Sequence, residues 1–217
     1  MNVNLRPRSS VFFGAALAGA CLLAASLASA QEGVKETEQF IKAGGNVSQS
    51  VAEAKQQIQN TLGNYSDLLG KSATDMKDSY KKLQKNIKEM NEKTDDARER
   101  VAKMQETGQT YFAGRAATIK KIQDPTLQAQ AQERLTASQK EFEGVLASLR
   151  SARDSFDPVR KELGDQVKYL ESDLSPSGTA SLKPQAEKTK ANASVLFGKA
   201  DDAIKTANAY FNGLRAR

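Results

Sequence analysis

The chain lacks most of the side chains that enzyme sites and large globular cores require. Its 217 residues include no His and no Trp, a single Cys at position 21, five Pro and only 6% aromatic residues. The absence of His, with only one Cys, excludes the commonest general base, an internal disulfide and most zinc sites. A composition of this kind is poor material for a sheet or a large core and is typical of long helices.

The first thirty residues have the pattern of a secretory signal peptide. Arg6 and Arg8 form a positive start, residues 11–25 are an apolar run, and small residues lead up to Ala30. We expect cleavage after Ala30, which leaves one domain over residues 31–217. The mature protein is then expected in the periplasm or secreted.

Two alternatives to cleavage after Ala30 stay open. A retained membrane anchor is less favoured, because the apolar run is short for a span of about 20 residues. A lipoprotein would be cut before Cys21, but Ala18 stands where such sites normally have Leu, and a further apolar stretch would remain on the mature chain.

The charge balance of the mature chain does not predict nucleic-acid binding. Removal of the leader with its two Arg takes the 32 basic residues to 30, against 26 acidic ones, so the net charge is +4. A surplus that small over about 190 residues lacks the dense basic surface that neutralises phosphates.

Hydrophobic periodicity supplies the fold prediction. From Val47 to Ile122 an apolar or small residue returns every three or four positions, which is a heptad pattern of about ten repeats. Asp124-Pro125 interrupts it, the pattern resumes up to Leu174, and residues 175–178 interrupt it again. One apolar stripe on an otherwise polar helix must be buried against other helices.

The chain is therefore predicted to be all-α. Helices are expected over about residues 71–122 and 126–174, forming an elongated antiparallel hairpin or coiled coil. Shorter helices over about 34–69 and 180–214 complete a four-helix bundle at one end, and the hairpin tip projects. A break at Gly70, followed by a new start near Ser72, is favoured over one helix that continues through it.

The hairpin has a predicted register. Facing positions should add to about 249 or 250, which puts Gly108 opposite Phe142 and Thr94 opposite Phe156. A small residue then faces a large one, as close packing requires. Pro158, inside the third helix, is expected to kink it.

A set of helix-packing positions and one proline matches the pattern of a known family. These positions are Asp75-Met76, Tyr80, Leu83, Asp157-Pro158-Val159, Asp165-Gln166-Val167, Leu170, Leu174, Ala180, Leu182, Ala203-Ile204 and Phe211. They resemble the bacterial domain-of-unknown-function family 2959 over most of the mature chain. The chain departs from the family at residues 111–114, where an aromatic-acid-Trp stretch is often found. The resemblance implies an exported helical protein and brings no catalytic residues with it.

The remaining polar patterns predict neither catalysis nor a cofactor. Asp95-Asp96 and Asp201-Asp202 are adjacent pairs, and neighbours on a helix point about 100° apart, so neither pair predicts a metal site. Gly70-Lys71-Ser72 lacks the upstream Gly spacing of a phosphate-binding loop. We therefore expect no enzyme activity, no cofactor, no metal and no small-molecule substrate.

Two surfaces are candidates for interaction. The tip residues Asp124 and Pro125 would meet a protein partner, or a second copy of the chain through coiled-coil pairing. The densest basic stretch is Lys77, Lys81, Lys82, Lys85 and Lys88. Its ordinary interpretation is a solvated face that pairs with the third helix, and its functional one is a contact with an anionic envelope surface.

The leading hypothesis is a non-enzymatic structural or interaction protein that presents the hairpin to a partner. The alternative is a peripheral membrane or envelope-surface binder that acts through the basic face, and an enzyme is a distant third.

Overall fold

The structure, a computed structural model, describes residues 18–216, with side chains from residue 31 onward except residue 32. This part of the chain forms five helices. They are α1 (Ala18–Leu69), α2 (Met76–Ile119), α3 (Pro125–Ser172), α4 (Pro176–Ser181) and α5 (Lys183–Arg215). No strand occurs within the described range, so the all-α prediction is confirmed.

The four long helices form an antiparallel bundle. Each packs against two neighbours in the cyclic order α1, α2, α3, α5, and short α4 contacts α1 and α5. The α1 and α2 helices pack most closely, and α2 and α3 pack least closely of the four neighbouring pairs. Short connections between consecutive antiparallel helices give this arrangement its up-down-up-down order.

The predicted register of α2 and α3 is found in their contacts. Gly108 lies opposite Phe142, and a Cβ on Gly108 would be only 2.9 Å from that ring. Farther down, the Tyr80 hydroxyl donates to the Val167 carbonyl at 3.4 Å. The first pair adds to 250 and the second to 247, so the two helices run past each other close to the predicted alignment.

The α1 and α5 helices cover most of the hairpin. Near its upper end the Arg115 guanidinium donates to the Thr37 hydroxyl at 3.2 Å, and the hydroxyls of Ser138 and Tyr210 share a hydrogen bond of 3.1 Å. Four helices therefore run side by side up to these levels. The tip that projects past α5 is short and consists of about residues 120–134, while the α1 backbone continues beyond Thr37 to Ala18.

The α1 helix begins earlier than the predicted residue 34. Its helical backbone starts at Ala18 and continues through Gly44, where the Phe211 ring occupies the space of a missing side chain. The predicted signal peptide falls largely outside this description, because residues 1–17 are not described and only the backbone of residues 18–30 is. Cleavage after Ala30 stays a prediction. Among the described residues, no helix is both long and apolar enough to cross a membrane.

The helix ends follow local capping chemistry. The predicted break after Gly70 is present, but α2 begins at Met76 rather than near residue 71, because residues 71–75 form a turn in which the Ser72 hydroxyl donates to the Asp75 carboxylate at 3.3 Å. Ser175 caps α4 through a hydrogen bond from the Gly178 amide at 3.0 Å. The α3 helix continues through Pro158 as one element.

The buried side chains form two clusters, one above the other. In the upper cluster the Phe40 ring contacts five other aromatic rings, including those of Phe142 and Phe211. The lower cluster is built mainly from aliphatic side chains around Tyr65. Between the two clusters each long helix contributes an alanine, and these are Ala54, Ala97, Ala152 and Ala200.

Candidate functional site

The five predicted interaction lysines lie on the outer face of α2. All are exposed, while Met76, Leu83 and Met90 of the same helix are buried on the opposite side. Among the described residues, these lysines do not form the expected pairs with the third helix. Three of the five lysines form ion pairs, and all three partners are on α2 itself. These pairs are Lys81 with Asp78 at 3.9 Å, Lys85 with Glu89 at 3.6 Å and Lys88 with Glu92 at 3.8 Å.

Those pairs are long and exposed, so they neutralise the lysine face weakly. Lys77 and Lys82 have no acidic group within 4.0 Å among the described residues. The first three turns of α2 therefore present positive charge to the solvent.

The tip residues Asp124 and Pro125 have a structural role at the start of α3. The Asp124 carboxylate accepts hydrogen bonds from the amides of Thr126 at 2.8 Å and Leu127 at 3.0 Å, and Pro125 occupies the first helical position. This is an N-cap, which explains both residues without a partner. The heptad pattern places Leu127 on the buried apolar stripe, but its side chain is 56% exposed at the apex.

No metal centre is present among the described residues. No group of three or more carboxylates or thiols there is close enough to hold an ion. Asp95-Asp96 and Asp201-Asp202 do not converge on one another; instead Asp95 pairs with Arg98, Asp96 with Arg100 and Asp201 with Lys55.

Ion pairs bridge all four interfaces between neighbouring long helices. Lys93 of α2 reaches Glu53 of α1 at 2.7 Å, and Lys55 of α1 reaches Asp201 of α5 at 2.6 Å. The other two are Arg98 with Asp157 between α2 and α3 at 3.4 Å, and Lys188 with Glu162 between α5 and α3 at 2.9 Å.

Glu162 is the least exposed carboxylate among these pairs. Burial raises the pKa of its carboxyl, but hydrogen bonds from Lys188, Asn192 and Thr189 together outweigh burial and hold that pKa below its ordinary value. Asn192 donates to both carboxylate oxygens at 2.9 and 3.0 Å. Glu162 is therefore a structural anion that joins α3 to α5.

A cavity of about 290 Å³ lies at the alanine level, between the two buried clusters. Its walls include Ala54, Ala97, Ala152 and Ala200, together with apolar side chains such as Phe156. Because four alanines lie at one level, the space that leucine or phenylalanine side chains would fill at these positions is left open. A second cavity, of about 620 Å³, lies between α3 and α5 and is lined by charges of both signs.

The first cavity opens between α2 and α3. Gln105 of α2 and Arg150 and Arg153 of α3 line it and are exposed, which places its mouth at the loosest interface of the bundle. Arg98 also lines the mouth, with its guanidinium 5.9 Å from the centre of the Phe156 ring.

The arginines of this mouth were missed by sequence reasoning. In a register of about 249 or 250, Arg98 stands across from both Arg150 and Arg153, since the pairs add to 248 and 251. One pattern could have indicated the site. It combines an alanine on the apolar stripe of each of the four helices with arginines that face each other across the α2–α3 interface.

One family model matches residues 27–214 of the chain, and it is described as a protein of unknown function (DUF2959). No curated protein gives a significant match. No solved structure gives one either.

Proposed function

The chain belongs to the DUF2959 family, whose description states no activity, and we propose that it is a non-enzymatic, exported interaction protein that presents its hairpin tip to a protein partner. Membership confirms the resemblance that the helix-packing positions carry. Export, to the periplasm or beyond the cell, is supported by the predicted signal peptide. The absence of His and of a second Cys from the sequence supports a role without catalysis.

The observation that carries this proposal is the exposed apolar side chain of Leu127. At 56% exposure it lies past the last turn of α5, because Leu214 of that turn packs in the same cluster as Leu135, two helical turns below Leu127. An apolar side chain at the apex of a rigid helical hairpin gives a partner a surface to bury. Lys120 and Lys121 beside it are also exposed and supply charge around that contact.

A matched pair of substitutions tests the proposal. Val195 on α5 is 57% exposed, as much as Leu127, but lies far from the tip. We expect Leu127→Ser to lose a protein that the unmodified chain captures from envelope extract, and Val195→Ser to keep it. Equal capture by both variants, or equal loss, contradicts a partner site at the tip. Light scattering of the purified chain distinguishes a second copy of the chain from a different partner.

Export has its own test. The protein recovered from the envelope of its host should begin at Gln31 when its N-terminus is sequenced. A chain that begins at Met1 contradicts cleavage, and one that begins at Cys21 supports the lipoprotein alternative.

The lysine face of α2 favours a second candidate function, contact with an anionic envelope surface. Its lysines point away from the core and are paired only loosely, so the charge is available to lipid headgroups. Each basic side chain near an anionic membrane contributes about 1 kcal/mol.

Co-sedimentation with vesicles of anionic and of neutral lipid tests this second function. Lys77→Gln with Lys82→Gln should lower binding to anionic vesicles by about tenfold or more. Lys140→Gln with Lys168→Gln, at exposed positions of α3, is the matched control and should change binding little. Binding that ignores lipid charge and salt contradicts the role of this face.

A further inference from the structure

We propose that the central cavity binds one fatty-acid anion, with its aliphatic chain between the four helices and its carboxylate at the arginines between α2 and α3. This site is independent of the hairpin tip and of the lysine face.

The size of the cavity fits one aliphatic chain. An apolar cavity of about 150 Å³ is large enough to hold benzene, and this one, at about 290 Å³, is nearly twice as large. Its inner wall is apolar and is formed by residues that include Ile58, Leu149 and Leu196. An aliphatic chain that packs against these walls gains free energy by leaving water.

The shape of the cavity also favours a chain with a headgroup at one end. The interior lies at the alanine level, where all four helices meet, and the mouth opens on one side between α2 and α3. A chain that enters by the mouth reaches the interior end-on and leaves its head among the exposed side chains.

The charges of the residues that line the cavity indicate which headgroup it binds. Among the described residues, four basic side chains line the cavity and no acidic one does. Three of the four, Arg98, Arg150 and Arg153, belong to the mouth, whereas Lys55 is already paired with Asp201. Guanidinium groups bind carboxylates through two parallel hydrogen bonds, which favours a carboxylate head over a cationic or neutral one.

Arg150 is the arginine best placed to receive the carboxylate. Arg98 pairs with Asp95 and Asp157, and Arg153 with Asp154 at 2.8 Å. Arg150 has no acidic group within 4.0 Å in the described part of the chain, although acidic residues are frequent along both helices. An unneutralised guanidinium beside an apolar cavity is the arrangement that selects an amphipathic anion.

The proposal is tested by calorimetric titration of the purified full chain with dodecanoate below its micelle concentration. We expect one dodecanoate per chain. Arg150→Gln with Arg153→Gln should weaken binding by about tenfold or more, since the loss of one charge-assisted contact to the carboxylate removes about 1.4 kcal/mol or more. Arg160→Gln, an exposed arginine of α3 that does not line the cavity, should change the dissociation constant less than about twofold.

A second pair of variants tests the interior. Ala97→Leu fills the cavity from its wall and should abolish binding, whereas Ala147→Leu places the same side chain on the exposed face of α3 and should not. Circular dichroism reports whether each variant folds. If Ala97→Leu does not fold, the arginine variants still decide, because their side chains are exposed.

Three results would overturn the proposal. The first is no saturable binding of dodecanoate. The second is binding that neither the arginine pair nor Ala97→Leu weakens. The third is equal affinity for dodecyltrimethylammonium, which has the same chain and the opposite charge.

Discussion

The Phe142 ring of α3 lies against Gly108 of α2, where a Cβ would be 2.9 Å from one ring atom and 3.0 Å from another. The Phe40 ring of α1 approaches the same position to 3.0 Å. Gly108 is thus the point at which three helices meet through two buried rings. The register of the bundle depends on the absence of a side chain there.

Substitution of Gly108 by Ala should destabilise the protein despite the better helix propensity of Ala. The propensity gain is about 1 kcal/mol, but forcing two packed rings apart costs about 1–3 kcal/mol. We expect the free energy of unfolding to fall by up to about 2 kcal/mol in urea denaturation. Gly144→Ala is the control, because no described atom lies within 4 Å of a Cβ there, and it should raise stability by about 0.5–1 kcal/mol. A stabilising Gly108→Ala would contradict the packing described.

Tyr65 should tolerate the loss of its hydroxyl. Its side chain is fully buried, the hydroxyl oxygen has no hydrogen-bond partner among the described residues, and burial raises the pKa of the phenol far above its ordinary value. An unpaired buried polar group costs about 1–3 kcal/mol, so Tyr65→Phe should leave the free energy of unfolding unchanged or raise it. Tyr210→Phe is the counterpart and should lower it, because its hydroxyl bonds to Ser138. The denaturation midpoint of Tyr210→Phe should therefore fall, while that of Tyr65→Phe should stay the same or rise.

Glu162 gives the bundle a pH-dependent link between α3 and α5. Because its folded-state pKa is lowered, it contributes stability above its unfolded pKa, and that stability is lost as the pH falls through the folded pKa. At pH 7 Glu162→Gln should lower the free energy of unfolding by about 1–2 kcal/mol, since the side chain is only 18% exposed and bonds to a charged partner. Near about pH 3 the difference from the unmodified chain should shrink.

Glu143→Gln provides the control for that pH dependence. Glu143 is exposed on the same helix, and its substitution should change stability little at either pH. A deficit for Glu162→Gln that is as large in acid as at neutral pH would show that the carboxylate does not act through its charge.

The elements that local sequence dictates were predictable. Asp124-Pro125 is a cap and first residue of a helix, and its position ends one heptad stripe and starts the next. Gly108 opposite Phe142 followed from counting outward from that turn. Both follow from positions counted along one chain direction, since the helices on either side of the turn are unbroken between it and these residues.

The features that depend on three or four helices at once were not predictable in the same way. At Gly44 the ring of Phe211, from the other end of the chain, fills the space of a missing side chain. The cavity needs alanines from all four helices at one level, and a single stripe shows only one of them. The height to which α1 and α5 cover the hairpin depends on aromatic packing around Phe40, which pairwise counting does not reveal.

The most direct test of the central claim, that the tip meets a protein partner, is photo-crosslinking in the living host. A photoreactive amino acid replaces Leu127 in one chain and Val195 in another, two apolar positions of equal exposure. We predict a discrete adduct of defined mass from position 127 and none from position 195. Adducts of the same pattern from both positions, or none from position 127 while the chain is exported and folded, would contradict the account.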